Sequence, residues 1–182
     1  KSNGVVFIAF GAPLSVNGQF GTTLFSGPDV TLNQISTAIE KYIQGYWEAT
    51  TCDQGSMTSR GLTIAISTSN SSLEGETGPD NLFLTAQHGS AWGQMINDLN
   101  ATMLADGYAS AIRIVAGYDA ELGWSSYTPT KAWLDGYIST SNYPYYYFGS
   151  CDGCATTQSP ANWDTATLDQ VVRLVTPAGT MV

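Results

Sequence analysis

Two acidic residues stand two positions apart in Gly117-Tyr118-Asp119-Ala120-Glu121-Leu122-Gly123-Trp124, directly after an apolar run. In an extended strand side chains alternate between faces, so if the strand reaches Glu121, Asp119 and Glu121 project together. Two carboxylates held side by side repel when both are charged, which raises the pKa of one of them. The result is an acid beside a base, the division of labour that glycosidic-bond hydrolysis requires. Trp124 offers a flat apolar face for a sugar ring. Tyr118, Asp152 and His88 complete the candidate substrate-binding set. The same residues also have plainer readings. Asp119 can cap a turn beside a solvated Glu121, and Asp152 sits in Asp152-Gly153, a turn dipeptide. His88, the sole histidine, reads equally as a substrate ligand or as a partner for a backbone carbonyl.

Other chemistries find little to work with. The six basic residues are scattered singly through a chain of net charge −9, so no stripe neutralises successive phosphates and nucleic acid is not an expected partner. No apolar run approaches the roughly 18 residues of a transmembrane helix, and membrane insertion is not expected. There is no Gly-x-Ser-x-Gly elbow, no phosphate-binding loop and no dinucleotide fingerprint. Cys151 and Cys154 flank Asp152-Gly153, and a local disulfide is the preferred reading of that pair. The cysteine count also permits a zinc site of Cys52, Cys151, Cys154 and His88, but the wide spacing does not support it. No metal or cofactor is expected. Asn70 and Asn100 fit the glycosylation pattern, which matters only in a eukaryotic host.

Positioning falls to an alternation of strands and helices. Continuous apolar runs at 4–10, 62–66, 111–117 and 145–148 read as strands covered on both faces. Helices follow each. The first begins at Thr31, with Gln34 placed for a capping box, and buries Leu32, Ile35, Ile39, Tyr42, Ile43 and Tyr46. The second follows a long polar loop over 67–89, buries Trp92, Met95, Ile96, Leu99, Met103 and Leu104, and stops at Gly107. The third is announced by Thr128-Pro129 and buries Trp133, Leu134, Tyr137 and Ile138. The fourth is expected over 164–175. Four such units predict one α/β domain over 1–182 with neighbouring parallel strands. It is read as a (β/α) barrel, partial or truncated and continuing beyond residue 182, because the loops after strands are long and those after helices are short; an open doubly wound sheet is the alternative. A full barrel takes about 250 residues. In both architectures ligands bind at the carboxyl ends of the strands, where Asp119, Glu121 and Asp152 fall.

Asp119-x-Glu121 after an apolar strand resembles the catalytic strand of the chitinase-like (family 18) and lysozyme-like (family 25) glycoside hydrolases. The wider chain resembles secreted bacterial glycoside-hydrolase-like barrel proteins. The resemblance implies a (β/α) barrel with Glu121 as proton donor and Asp119 as its electrostatic partner. Two departures stand out. The chitinase pattern carries a further Asp where this chain has Gly117, and the lysozyme-like family has an acid on its first strand, which here ends Ala9-Phe10-Gly11. The low charge, with 12% charged and 43% hydrophobic residues, suits an exported protein that meets a neutral extracellular or cell-wall polysaccharide. The alternative function is a non-catalytic glycan-binding or surface-assembly module, with self-assembly favoured if the chain is naturally this short.

Overall fold

A computed structural model describes residues 4–54, 61–71, 73 and 79–150; for 51–54 and 79–83 this covers the backbone alone. The expected pair Cys151 and Cys154, Asp152 and the helix over 164–175 lie outside the described residues, as does the Cys52 side chain.

The chain is mixed α/β, with a parallel four-stranded sheet and a small antiparallel one. The parallel sheet comprises β1 (Gly4–Ala9), β5 (Leu62–Ser69), β6 (Ile112–Asp119) and β7 (Tyr145–Tyr147), in that spatial order. Every neighbouring pair is parallel, with Gly4 opposite Leu62, Leu62 opposite Ile112 and Ala116 opposite Tyr145. The order follows the chain without the reversal that an open doubly wound sheet shows. Among the described residues β1 and β7 do not pair, so no closed barrel is formed by these strands alone.

Three helices cover one face. They are α1 (Leu32–Gln54), α2 (Pro79–Ala105) and α3 (Tyr127–Thr140). Ile35, Ile39 and Ile43 of α1, Trp92 and Ile96 of α2, and Trp133, Leu134 and Tyr137 of α3 share one core with alternate strand residues Ile64, Ile66, Ile112, Ile114 and Tyr118. Helix ends follow from local chemistry. Thr31 N donates to Gln34 Oε1 at 2.8 Å and Gln34 N to Thr31 Oγ1 at 3.3 Å, the reciprocal capping box expected from the sequence. Helix α2 ends at Gly107 (φ 81°), with Tyr108 N bonded to Met103 O and Gly107 N to Leu104 O, a Schellman closure. Helix α3 starts earlier than Thr128, with Ser126 in the cap position. The helical stripes are narrower than expected, since Tyr42 and Leu104 face solvent.

Helices α2 and α3 touch through backbone. A methyl added at Gly136 would lie 1.9 Å from Ala86 O, and one at Gly89 would lie 1.9 Å from Trp133 O. Only glycine permits this approach, and it brings Trp133 and Tyr137 over the sheet. Trp133 stacks on Tyr118 at 4.5 Å between ring centroids, with planes 4° apart. Asn100 completes the layer. It is buried in α2, and its amide bonds to Ile114 O at 2.8 Å while Ile114 N donates to its Oδ1 at 3.1 Å. A side chain thus serves β6 where β7 has not yet begun to pair.

The segment from Gly11 to Asp29, one of the long loops expected after strands, instead holds most of a meander of β2 (Ala12–Val16), β3 (Gln19–Thr23) and β4 (Asp29–Thr31). Asn17 and Gly18 form its first turn with φ of 51° and 77°. Positive φ at both central residues is the type I′ requirement, and Asn-Gly is the sequence that meets it.

Candidate active site

The carboxyl ends of the four parallel strands meet through backbone and side-chain bonds. Phe10 N donates to Ser67 O at 2.9 Å, and Gly11 O accepts from Ser69 N and from Thr68 Oγ1, both at 2.9 Å. On the other side, Phe148 N donates to Tyr118 O at 3.2 Å and the Tyr147 hydroxyl to Ala120 O at 2.8 Å. Gly149 lies so close to Ala120 that a Cβ there would sit 2.1 Å from its carbonyl oxygen. The two acids lie at this row of strand ends.

Strand β6 stops at Asp119, and Glu121 lies just beyond it. The pairing of the two carboxylates therefore does not come from strand alternation through Glu121. Beyond the strand, the Glu121 backbone is fixed by Asn70, which is fully buried after β5. Its amide nitrogen donates to Glu121 O at 3.0 Å, and Glu121 N donates to its Oδ1 at 3.0 Å. The same nitrogen bonds Thr130 Oγ1 on α3 at 3.1 Å. One side chain thus replaces the strand neighbour that Glu121 lacks.

The Asp119 and Glu121 carboxyls lie close enough to influence each other. Burial first, then the Glu121 charge, then the bond to Glu121, raise the Asp119 carboxyl from 3.8 to about 6. Glu121 is 7% exposed. Its Oε1 accepts from Ser150 N at 2.9 Å and its Oε2 from the Ser150 hydroxyl. Tyr147 faces the pair, its phenol raised above 10 by burial and by the charges of Glu121 and Asp119. The arrangement can hold and transfer one proton between two carboxyls at mildly acidic to neutral pH. Among the described residues no group of three or more His, Cys, Asp or Glu is placed to hold a metal ion.

Gly117 accounts for one departure noted in the sequence. A Cβ there would lie 2.7 Å from Ser67 Cβ and 3.0 Å from the Phe148 ring. There is no space at that position for a third carboxylate.

The other sequence candidates disperse. Tyr118 is fully buried in the helix-side core, stacked on Trp133. His88 lies inside α2 rather than before it, because α2 begins at Pro79. Trp133 Nε1 donates to His88 Nδ1 at 2.9 Å, and an indole nitrogen can only donate. Nε2 therefore carries the proton and donates to Gly21 O at 2.7 Å. Burial lowers this imidazole from 6.5 to about 4. Of the two readings of His88, the backbone-carbonyl partner is the one the structure displays. Trp124 follows in the turn after Glu121, its N bonded to Glu121 O at 3.2 Å. Asn70 and Asn100, the glycosylation candidates, are both buried and bonded. A cleft of about 470 Å³ opens between the β2–β3 hairpin and α2, lined by Pro13, Leu14, Phe20, Leu73, Leu84 and His88. Sequence reasoning missed Asn70 and Ser150 as site residues. The available signal was their position, polar residues at the ends of β5 and β7, where ligand sites gather.

Searches of protein-family models, of curated proteins and of solved structures each found no match.

Proposed function

We propose that Asp119 and Glu121 form the acid–base pair of a glycoside-hydrolase-like domain acting on an extracellular or cell-wall polysaccharide. The observation that carries this reading is the placing of two interacting carboxyls at the carboxyl ends of parallel strands, with Asp119 raised to about 6 by burial and by Glu121. Protonating a leaving oxygen while a carboxylate stands beside it is the chemistry such a pair supports. We place the four-stranded sheet in a (β/α) barrel, supported by a strand order that follows the chain with helices on one face. The test is sugar release from peptidoglycan, chitin and plant glucans. Wild type should release sugar, Glu121→Gln and Asp119→Asn should each lose at least about 100-fold in rate, and both variants should still bind the glycan. Wild type that binds a glycan without releasing sugar would refute the hydrolase.

A second reading is a binding or assembly module. It is favoured by the apolar sheet face opposite the helices, where Val5, Phe7 and Phe148 are 48%, 45% and 36% exposed. An apolar parallel-sheet face of that kind is normally covered.

A further inference from the structure

Both carboxylate oxygens of Glu121 are engaged by a single residue from the neighbouring strand end. Ser150 N donates to Oε1 at 2.9 Å, and the Ser150 hydroxyl donates to Oε2. An ionised carboxylate accepts on both oxygens, whereas a protonated one must turn one oxygen into a donor. The Ser150 N–H can only donate, and two donated bonds stabilise the charged form of Glu121 more than the neutral one, in which the hydroxyl would have to reverse and accept. Asn70 fixes the Glu121 backbone through both its N–H and its carbonyl, which holds the point from which the side chain reaches Ser150.

We propose that Ser150 decides which member of the pair keeps the proton: it holds Glu121 as the anion and leaves the shared proton on Asp119. Asp119 is then the acid of the site and Glu121 its charged partner, the reverse of the roles that the family resemblance implies. Ser150 and Asn70 are positioning residues, acting through Glu121. The assignment rests on the carboxylate pair being the working site, and it specifies how that site is poised.

The groups around the pair agree with this distribution. From β7, Tyr147 presents a phenol raised above its ordinary value, neutral throughout the carboxyl range and already donating to Ala120 O. From β5 and α3 come Asn70 and Thr130, which do not titrate. His88 is engaged with Gly21 and Trp133. Among the described residues no salt bridge reaches Asp119 or Glu121, so the choice between them falls to hydrogen-bond donors. Asp119 is raised to about 6 by burial and by its neighbour. A coupled pair loses its protons in two macroscopic steps, and the question is which carboxyl dominates the later one.

The experiment is a ¹³C NMR titration of the side-chain carboxyl carbons of the whole chain from pH ~3 to ~8, a range that brackets carboxyl ionisation. In wild type the later step should appear mainly on Asp119 and the earlier one on Glu121. Ser150→Ala should raise the Glu121 step by about one pH unit, the scale of a lost charge-assisted hydrogen bond, and Ser150→Thr should restore it. Wild type in which Glu121 ionises last overturns the proposal without any variant being needed. So does Ser150→Ala with both steps unmoved. The titration reads protons and not turnover. Asp119 ionising after Glu121 therefore supports the assignment even in a protein that releases no sugar, while sugar release alone decides the hydrolase reading.

Discussion

The two faces of the parallel sheet are built from alternate residues of the same strands, yet they are packed very differently. On one side Ile64, Ile66, Ile114 and Tyr118 disappear beneath three helices, with Trp92 and Trp133 fully buried above them. On the other side Phe7 leans on Phe148 at 4.8 Å and on Tyr146 at 5.9 Å, and solvent reaches a large part of the cluster. The first face takes its close fit from glycine contacts between α2 and α3. The second carries Asp119, by strand alternation from the buried Tyr118. The contrast separates two jobs: one face supplies stability, and the other presents the carboxyl that strand ends hold in place.

The largest expected effect of breaking this comparison is at Trp133. Trp133→Ala removes a fully buried ring and the donor to His88, and should cost about 3–5 kcal/mol in denaturant unfolding. Gly136→Ala comes next. Its new methyl would meet the Ala86 carbonyl, so α2 and α3 must separate, at a cost of about 1–3 kcal/mol measured in the same way. On the opposite face Phe7→Ala should cost only about 1 kcal/mol, because nearly half of the residue is already exposed. A loss at Phe7 equal to that at Trp133 would show the two faces to be equally well covered.

The smallest effect concerns pH, and here the two faces have opposite signs. His88, on the helix side, is lowered to about 4 from 6.5, so between those values the unfolded chain binds its proton more readily and stability rises with pH. Asp119 is raised to about 6 from 3.8, so across that window the folded chain holds the extra proton and stability falls as pH rises. The Asp119 contribution is the weaker one, since the group is partly open to solvent. Asp119→Asn should therefore make the rise in melting temperature between pH ~4 and ~6 steeper than in wild type. An unchanged slope would show that Asp119 titrates with its ordinary value.

The parallel strands were legible because continuous β-branched and aromatic runs mark strands in a sheet interior. The expected 4–10 and 145–148 correspond to Gly4–Ala9 and Tyr145–Tyr147, and 62–66 extends to Ser69. The capping box at Thr31 and the stop at Gly107 were equally legible, since both are local chemistry. The meander was missed because glycines were read as a loop although Asn17-Gly18 announced a hairpin. The first turns of α2 were missed although Leu82, Phe83 and Leu84 are apolar and Pro79 occupies a position that proline favours at a helix start. The Asp119–Glu121 pairing was legible in outcome but not in cause. Alternation suggested it, whereas the Glu121 backbone is fixed by Asn70, 51 residues away in sequence. No local pattern records a bond of that range, nor the tie between Ser150 and Glu121.

The register of the parallel sheet also sets how much chain each pairing must close. Gly4 meets Leu62, and Leu62 meets Ile112, so each central pairing must close a long segment with a helix inside it. The β2–β3 hairpin closes through Asn17 and Gly18 alone, and hairpins of this kind form in about 1–10 μs. Its closure costs less chain entropy than that of any central pairing. Gly11 joins the hairpin directly to the end of β1, and its carbonyl receives Ser69 N once β5 arrives. The meander is thus tied to the second strand of the parallel sheet through the Gly11 carbonyl, a short-range element anchored to a long-range one.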